Sequence, residues 1–158
     1  MSELTLREAT FADVDLITDF NCRLAEESEG KLLDRQTVCE GVKGLLCDSS
    51  RGRYFLAVRN GQVVGQLMHT REWSDWRNGD IWWLQSVYVH SDFRGQGVFR
   101  ALFQHIERMA RETSGVVGLR LYVEHENHTA QAVYKKLGMS EGGYRVMELM
   151  HESANRNG

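Results

Sequence analysis

The fold is decided by a strand and the glycine loop that follows it, Trp82-Trp83-Leu84-Gln85-Ser86-Val87-Tyr88-Val89 and then Arg94-Gly95-Gln96-Gly97-Val98-Phe99-Arg100. Glycine lets backbone N–H groups approach an anion closely, and the start of a helix leaves several N–H groups without intrahelical acceptors. The positive end of the helix dipole adds to that attraction. The loop carries no acidic residue. This stretch predicts a central strand, a phosphate-binding loop and a helix, in that order.

Size and composition predict a soluble globular chain. Its 158 residues, 42% hydrophobic and 26% charged, predict one domain over residues 1–151 and a flexible tail over residues 152–158. The net charge of -3 disfavours a nucleic-acid partner. No apolar run is long enough to span a membrane and no secretory signal is evident, so we expect a cytoplasmic protein.

The cysteines and histidines do not predict a metal site. Cys22, Cys39 and Cys47 lack the spacing of a zinc site, and we expect free thiols in a reducing compartment. His125 and His128 are close in sequence, but no third ligand is evident. We therefore expect no metal.

The first third of the chain predicts a strand and two helices. The strand covers Leu4 to Glu8, and Thr10 to Asp13 form a capping box before the first helix. Asp34 is the predicted cap of the second helix. An exposed loop is expected between them, over residues 26–31.

Two Asn-Gly pairs predict hairpins in the middle of the chain. Asn60-Gly61 lies between predicted strands over residues 54–58 and 63–68. Asn78-Gly79 joins a strand ending near Trp73 to the strand over residues 81–89.

After the glycine-loop helix, alternating apolar residues from Val117 to Val123 predict a fifth strand. A further helix is expected to end at Gly138, and Tyr144 to Met150 predict a final strand. The fold class is therefore α/β, with early helices, a hairpin-rich sheet and two strand-to-helix units.

A second motif follows about thirty residues after the glycine loop. Its matching positions are Asn127, Ala130, Tyr134, Gly138 and Met139. With Arg94 and Gly97, these residues resemble the two motifs of the GCN5-related N-acetyltransferase (GNAT) superfamily. The resemblance implies a GNAT-like fold, a mostly antiparallel, splayed central sheet flanked by helices, with acetyl-CoA as cosubstrate.

The resemblance also implies where acetyl-CoA binds. The pyrophosphate would lie on the backbone N–H groups of residues 96–99, beside Arg94, and the pantetheine arm would pair with residues 87–89. The implied cofactor-binding residues are Val87, Tyr88, Val89, Arg94, Gly95, Gln96, Gly97, Val98, Phe99, Arg100, Asn127, Ala130 and Tyr134. Phe99 stands where the family usually has glycine or alanine, and we expect its side chain to pack in the core.

The implied chemistry is acyl transfer from a thioester to an amine. Tyr134 is at the family's position for the general acid, and an ordinary phenol remains protonated at neutral pH. Gln85 stands where the similar diamine acetyltransferase branch has a glutamate, so it can orient a water but cannot act as the base. Glu124 is the first substitute base, with Asp80 and Glu26 as alternatives.

The acceptor is predicted to be a small cationic amine, polyamine-like or aminoglycoside-like, because the early helices are acidic and the segment from Trp73 to Trp83 is rich in tryptophan. Alternatives are acetylation of a protein lysine or N-terminus, and a non-catalytic acyl-CoA-binding sensor. A homodimer is expected from the resemblance.

Overall fold

The structure, a computed structural model, describes residues 2–151; the predicted tail over residues 152–158 lies outside the described residues. The chain divides into two compact units, an N-terminal unit ending at Tyr122 and a C-terminal unit beginning at Val123. Within residues 2–151, no helix combines the length and apolarity that crossing a bilayer requires.

The N-terminal unit contains a mixed sheet flanked by helices. Its elements are β1 (Leu4–Glu8), α1 (Val14–Glu29), α2 (Arg35–Leu46), β2 (Gly52–Arg59), β3 (Gln62–Ser74), β4 (Gly79–Val89), α3 (Val98–Glu112) and β5 (Val116–Leu121). Short 3₁₀ turns at Phe11–Asp13 and Ser91–Phe93 precede α1 and the glycine loop.

The five strands lie in chain order, β1-β2-β3-β4-β5. Neighbours from β1 to β4 are antiparallel, whereas β4 and β5 are parallel and are connected through α3. Asn60 and Asn78 both have positive φ, 53° and 49°, as tight hairpin turns require. Both predicted hairpins are thus confirmed, although the two strands predicted between them form the single long β3.

The predicted helix caps are confirmed. In the capping box, the Asp13 carboxylate accepts from the Thr10 backbone N–H at 2.8 Å. Asp34 accepts from the backbone N–H of Thr37 at 3.1 Å. The expected loop over residues 26–31 is wrong in part, because α1 continues through Glu29 and ends at Gly30 with φ 64°. Glutamates favour a helix interior, and only the glycine adopts the left-handed cap.

Helices cover both faces of the sheet. One core joins α1 and α2 to the sheet, with Val14, Ile17, Val42, Leu45, Tyr54, Leu56 and Met68 buried. On the other face α3 buries one side of its surface, and its His105 ring lies 5.2 Å from the ring of Phe55 in β2. The predicted central position of β4 is confirmed, since β3 and β5 pair with its two edges.

The C-terminal unit contains helix α4 (His128–Lys136), after which Gly138 has φ 99°. Two sequence-based expectations are wrong here. Val123 lies beyond the end of β5, and residues 144–150 form no strand. An apolar pattern fits a strand locally, but a strand forms only where a neighbouring strand accepts its hydrogen bonds.

Candidate active site

A bulge in β4 changes the direction of its side chains. The β3–β4 ladder shifts register between Gln66 and Met68, and Ser86 has φ 51°, an unusual value for a residue other than glycine. In a regular strand, side chains three residues apart point to opposite faces of the sheet. Here Gln85 Nε2 donates to Thr70 Oγ1 at 2.6 Å, and Tyr88, three residues later, packs its ring 5.0 Å from that of Phe20 in α1.

Buried amides hold this bulge. The Gln66 side chain has no exposed surface, and its Nε2 donates to the Ser86 carbonyl at 3.0 Å and to Asn21 Oδ1 at 2.9 Å. Asn21 in turn donates to the Tyr54 hydroxyl at 3.2 Å. This network crosses from α1 to three strands, so the bulge is built by tertiary contacts.

At the bulge, β4 separates from its parallel neighbour β5. The last β4–β5 pair is Leu84 with Leu121, whereas β4 continues to Val89. The backbone of residues 85–89 therefore has an edge without a β5 partner within the part of the chain that the structure describes. An extended ligand arm can pair with such an edge as a strand does.

The glycine loop leads into the predicted helix with its backbone exposed at both glycines. Gly95 and Gly97 have φ of 75° and 80°, and a side chain at either position would meet open space. Gly97 is the N-cap of α3 and makes no side-chain cap, so the backbone N–H groups at the helix start are open to a bound anion.

Arg94 links this loop to α1. Its Nη2 donates to Glu27 Oε1 at 2.6 Å, and its Nε donates to the Val89 carbonyl at 2.9 Å. Tyr88 donates its hydroxyl to the other oxygen of Glu27 at 2.5 Å. These bonds from Tyr88 and Arg94 lower the pKa of the Glu27 carboxyl below its ordinary value. The guanidinium that the sequence places beside a phosphate is thus already paired with a carboxylate.

Sequence reasoning missed a second cation at the loop. Arg59, at the end of β2, donates from Nη1 to Gln96 Oε1 at 2.7 Å. No motif marks it, because residues 37 apart meet only through the order of the strands. Arg59 therefore brings a guanidinium to the loop.

The remaining loop residues lie near the start of α3. Val98 is buried and Arg100 is exposed. Phe99 was expected in the core, but it is half-buried, with its ring 6.1 Å from that of Phe103 along the helix. A residue at the second position of α3 lies at the border between core and solvent.

The second motif lies in the C-terminal unit. Asn127 caps α4, with its Oδ1 accepting from the Ala130 backbone N–H at 3.1 Å. Tyr134 is half-buried, and burial raises the pKa of its phenol. Glu124 is exposed, and its Oε2 accepts from the backbone N–H of Glu126 at 2.9 Å. The side chains of Asn127 and Glu124 thus shape local turns.

Acidic side chains predicted for the acceptor region have uneven roles. Glu27 is paired with Arg94, and Asp34 caps α2. Glu26 and Glu29 are exposed on the last turn of α1.

Within residues 2–151, no group of three or more His, Cys, Asp or Glu side chains is placed to hold a metal ion.

Comparison with known proteins shows which proteins this chain is similar to. The family model described as "Acetyltransferase (GNAT) family" matches residues 18–139. A possible acetyltransferase from Clostridium difficile 630, known from its crystal structure, superposes with a TM-score of 0.88 at 44% sequence identity, covering 94% of this chain and 98% of that one.

Two named relatives are more distant. An aminoalkylphosphonate N-acetyltransferase of Salmonella typhimurium is 28% identical over 152 residues, covering 92% of this chain and 90% of that protein. A thialysine N-epsilon-acetyltransferase of Bos taurus is 32% identical over 79 residues, and the match spans 50% of this chain and 45% of that protein. With the family match spanning most of the N-terminal unit and α4, the chain belongs to the GNAT acetyltransferase family.

Proposed function

We propose that the protein transfers an acetyl group from acetyl-CoA to a small primary amine. Members of its family use acetyl-CoA. The observation that carries the proposal is the continuous path from the unpaired edge of β4 through the glycine loop to the start of α3. Such a path suits a ligand with an extended amide arm followed by phosphates.

In this proposal the start of α3 binds the pyrophosphate. The backbone N–H groups of Gln96, Gly97 and Val98 face it across a loop that lacks side chains at both glycines. Arg59 supplies the nearby cation, and Arg94 holds the loop against α1 through Glu27.

The edge of β4 binds the pantetheine arm. Backbone groups at Val87 and Val89 pair with its amides, apart from the Val89 carbonyl, which already accepts from Arg94; the backbone groups of Tyr88 face Gln66 in β3. Asn127 uses Oδ1 in its cap, and the proposal assigns its Nδ2 to a carbonyl of the same arm. The proposal also assigns Ala130 to this contact, because its backbone N–H donates to Asn127 Oδ1 and so fixes that amide.

The chemistry requires a neutral amine and a protonated leaving group. Acetyl-CoA supplies a thioester, whose C–S bond breaks as the C–N bond forms. A backbone N–H of Val87 or Val89 donates to the oxyanion. Tyr134, whose raised pKa keeps the phenol protonated at neutral pH, protonates the departing sulfur, and the proton that the amide nitrogen loses after the attack returns to the phenolate.

The acceptor's proton leaves through water. Gln85 lacks a basic site and is fixed by Thr70, so in the proposal it orients that water. Glu124 takes the proton, as an exposed carboxylate that can pass it to solvent. The amine is cationic before it loses this proton, and polyamine-like and aminoglycoside-like acceptors both belong in the assay.

A non-catalytic acyl-CoA sensor is the second candidate, because Gln85 replaces an acid and its amide is already bonded. Acetylation of a protein lysine or N-terminus is the third candidate function.

We also propose a homodimer, whose interface would cover apolar residues exposed after α4, and a cytoplasmic location, which suits the free cysteines.

Two measurements test the donor and the enzyme. Acetyl-CoA at one hundred times its Kd should stabilise the fold by about 2.7 kcal/mol, because it binds only the folded state. If the Tm does not rise at millimolar acetyl-CoA, acetyl-CoA is excluded as the acetyl donor. Thiol release with a panel of amines and peptides then separates an enzyme from a sensor.

Tyr134→Phe tests the acid. We expect turnover to fall about a hundredfold with the Kd of acetyl-CoA changed less than threefold, which is the lower range for a general acid. Tyr144→Phe is the matched control, because Tyr144 is 79% exposed in the same unit. Equal losses in both variants, or loss of acetyl-CoA binding in Tyr134→Phe, would refute the role of Tyr134.

A further inference from the structure

Four side chains near the place where the pairing of β4 with β5 ends form a group that no sequence motif marks. We call it the Glu72 cluster, and it consists of Glu72 in β3, Trp83 in β4, Arg120 in β5 and Tyr122 just after β5. Trp83 lies between Thr70 and Arg120 in the register of the sheet.

The Glu72 cluster lies on the same sheet face as Gln85. Trp83 precedes Gln85 by two residues, and side chains two apart in a strand point to the same face. Thr70, the partner of Trp83, bonds Gln85 directly. Two strand residues span roughly 7 Å, so the cluster lies within reach of a small acceptor whose amine is beside Gln85.

The contacts within the cluster orient the arginine. Glu72 accepts from Trp83 Nε1 through Oε1 at 2.9 Å and from Arg120 Nη1 through Oε2 at 2.9 Å. The guanidinium carbon of Arg120 lies 5.8 Å from the Trp83 ring centre, and the rings of Trp83 and Tyr122 are 4.4 Å apart. Arg120 is therefore held by a carboxylate on one side and by an indole on another.

The cluster is open to solvent. The Arg120 side chain is 32% exposed and that of Glu72 is 41% exposed, and Tyr122 is 60% exposed. The bond to Glu72 uses one N–H group of the guanidinium, and its planar fork retains others for a second anion. A ligand can thus reach a pre-oriented guanidinium flanked by aromatic rings.

We propose that Arg120 binds an anionic group of the acceptor, so that the substrate is a primary amine that also carries a carboxylate or a phosphonate. This inference rests on the proposed acetyltransferase function and narrows its acceptor. Each Glu72 oxygen already accepts a hydrogen bond, from Trp83 or from Arg120, whereas the guanidinium retains further N–H groups for an anion and repels a polycation. An amine with an acid group a few bonds away places the anion on Arg120 and the nitrogen towards Gln85.

Small primary amines that differ in the charge of their second group test the proposal. β-Alanine and 2-aminoethylphosphonate carry an anion, ethanolamine carries none, and putrescine carries a second cation. We expect kcat/KM for the better anionic amine to exceed that for ethanolamine and for putrescine at least tenfold. A preference for putrescine or ethanolamine would overturn the proposal.

Variants separate recognition from a purely structural contact between strands. Arg120→Met should raise KM for the anionic amine at least tenfold, with kcat, the KM of acetyl-CoA and the rate with ethanolamine nearly unchanged. A loss of equal proportion for all acceptors would show that Arg120 only links the strands. Arg120→Lys replaces Arg120→Met if the latter fails to fold. It keeps the positive charge without the planar guanidinium, and it is expected to retain part of the preference for anionic amines.

Arg71→Met is the matched control. Arg71 is an exposed arginine next to Glu72 in β3, and its side chain points to the opposite face of the sheet. It should leave the acceptor preference intact. If none of the amines is acetylated although acetyl-CoA binds, the acetyltransferase proposal fails and this inference fails with it; acetylation without an anion preference overturns this inference alone.

Discussion

A buried histidine makes the stability of this fold sensitive to mild acid. His69 in β3 has no exposed surface, and its ring stacks 4.1 Å from Trp82 and 6.2 Å from Phe55. Neither ring nitrogen has a hydrogen-bond partner among the described residues. Burial, and to a smaller extent the charge of the nearby Arg71, lowers the pKa of His69 from 6.5 to about 4.

The sign and size of the effect follow from linkage. Above pH 6.5 the imidazole is neutral in both states, so its contribution is fully present. As the pH falls below 6.5 the unfolded chain takes up a proton that the folded protein binds only near pH 4. The resulting loss of unfolding free energy is about 2 kcal/mol at pH 5 and approaches about 3 kcal/mol below pH 4.

His69→Phe tests this reasoning. The variant keeps an aromatic ring between Trp82 and Phe55 and removes the titrating group. Urea unfolding followed by far-ultraviolet circular dichroism at pH 7.5 and pH 5.0 gives the change in stability of each protein. The wild type should lose about 2 kcal/mol more than the variant over this interval. Any change in unfolding free energy that the larger phenylalanine ring causes equally at both pH values cancels in that comparison.

His128→Gln is the control, since the His128 side chain is 76% exposed. It should show the wild-type pH dependence. Equal losses in wild type and His69→Phe would refute the assignment of His69 as a buried neutral group.

Two further predictions concern the site. Arg59→Met should weaken acetyl-CoA binding about ten- to a hundredfold in calorimetry, the worth of one charge-assisted bond, and an unchanged Kd would remove Arg59 from the phosphate site. Gln66→Leu deprives the Ser86 carbonyl and Asn21 of a donor, so urea unfolding should show a loss of roughly 2 to 4 kcal/mol. Unaltered stability would show that Gln66 does not hold the bulge.

Local elements were predictable because their determinants are local. The capping box at Thr10 and the turns at Asn60 and Asn78 depend on residues within four positions of each other. The glycine loop is similar, since Gly95 and Gly97 adopt the positive φ that their residue type permits. Such features need no knowledge of the rest of the chain.

The predicted final strand over residues 144–150 shows the limit of local patterns. Its apolar residues satisfy the composition of a strand, but the structure assigns it none. Whether an extended segment joins a sheet depends on a partner edge, which composition does not describe.

The partners of the site's charged side chains could not be predicted from the sequence either. Arg94 was expected beside a phosphate, and its pairing with Glu27 joins residues 67 apart in sequence. Arg120 and Glu72 are 48 apart, and no motif contains both. Each pair meets because strand order and the packing of α1 bring distant backbone positions within a side chain's length.

The sequence by itself determined the family, the glycine loop before a helix, and the order of the elements from the first strand to the last helix, because these depend on residue type and short spacing. Only the tertiary structure decided which cation reaches the loop, how β4 is bulged and which side chains lie beside Gln85. The physical reason is range: backbone preferences act over a few residues, whereas hydrogen bonds and ion pairs are selective only at contact distance. Contact between distant residues exists only once the sheet has formed.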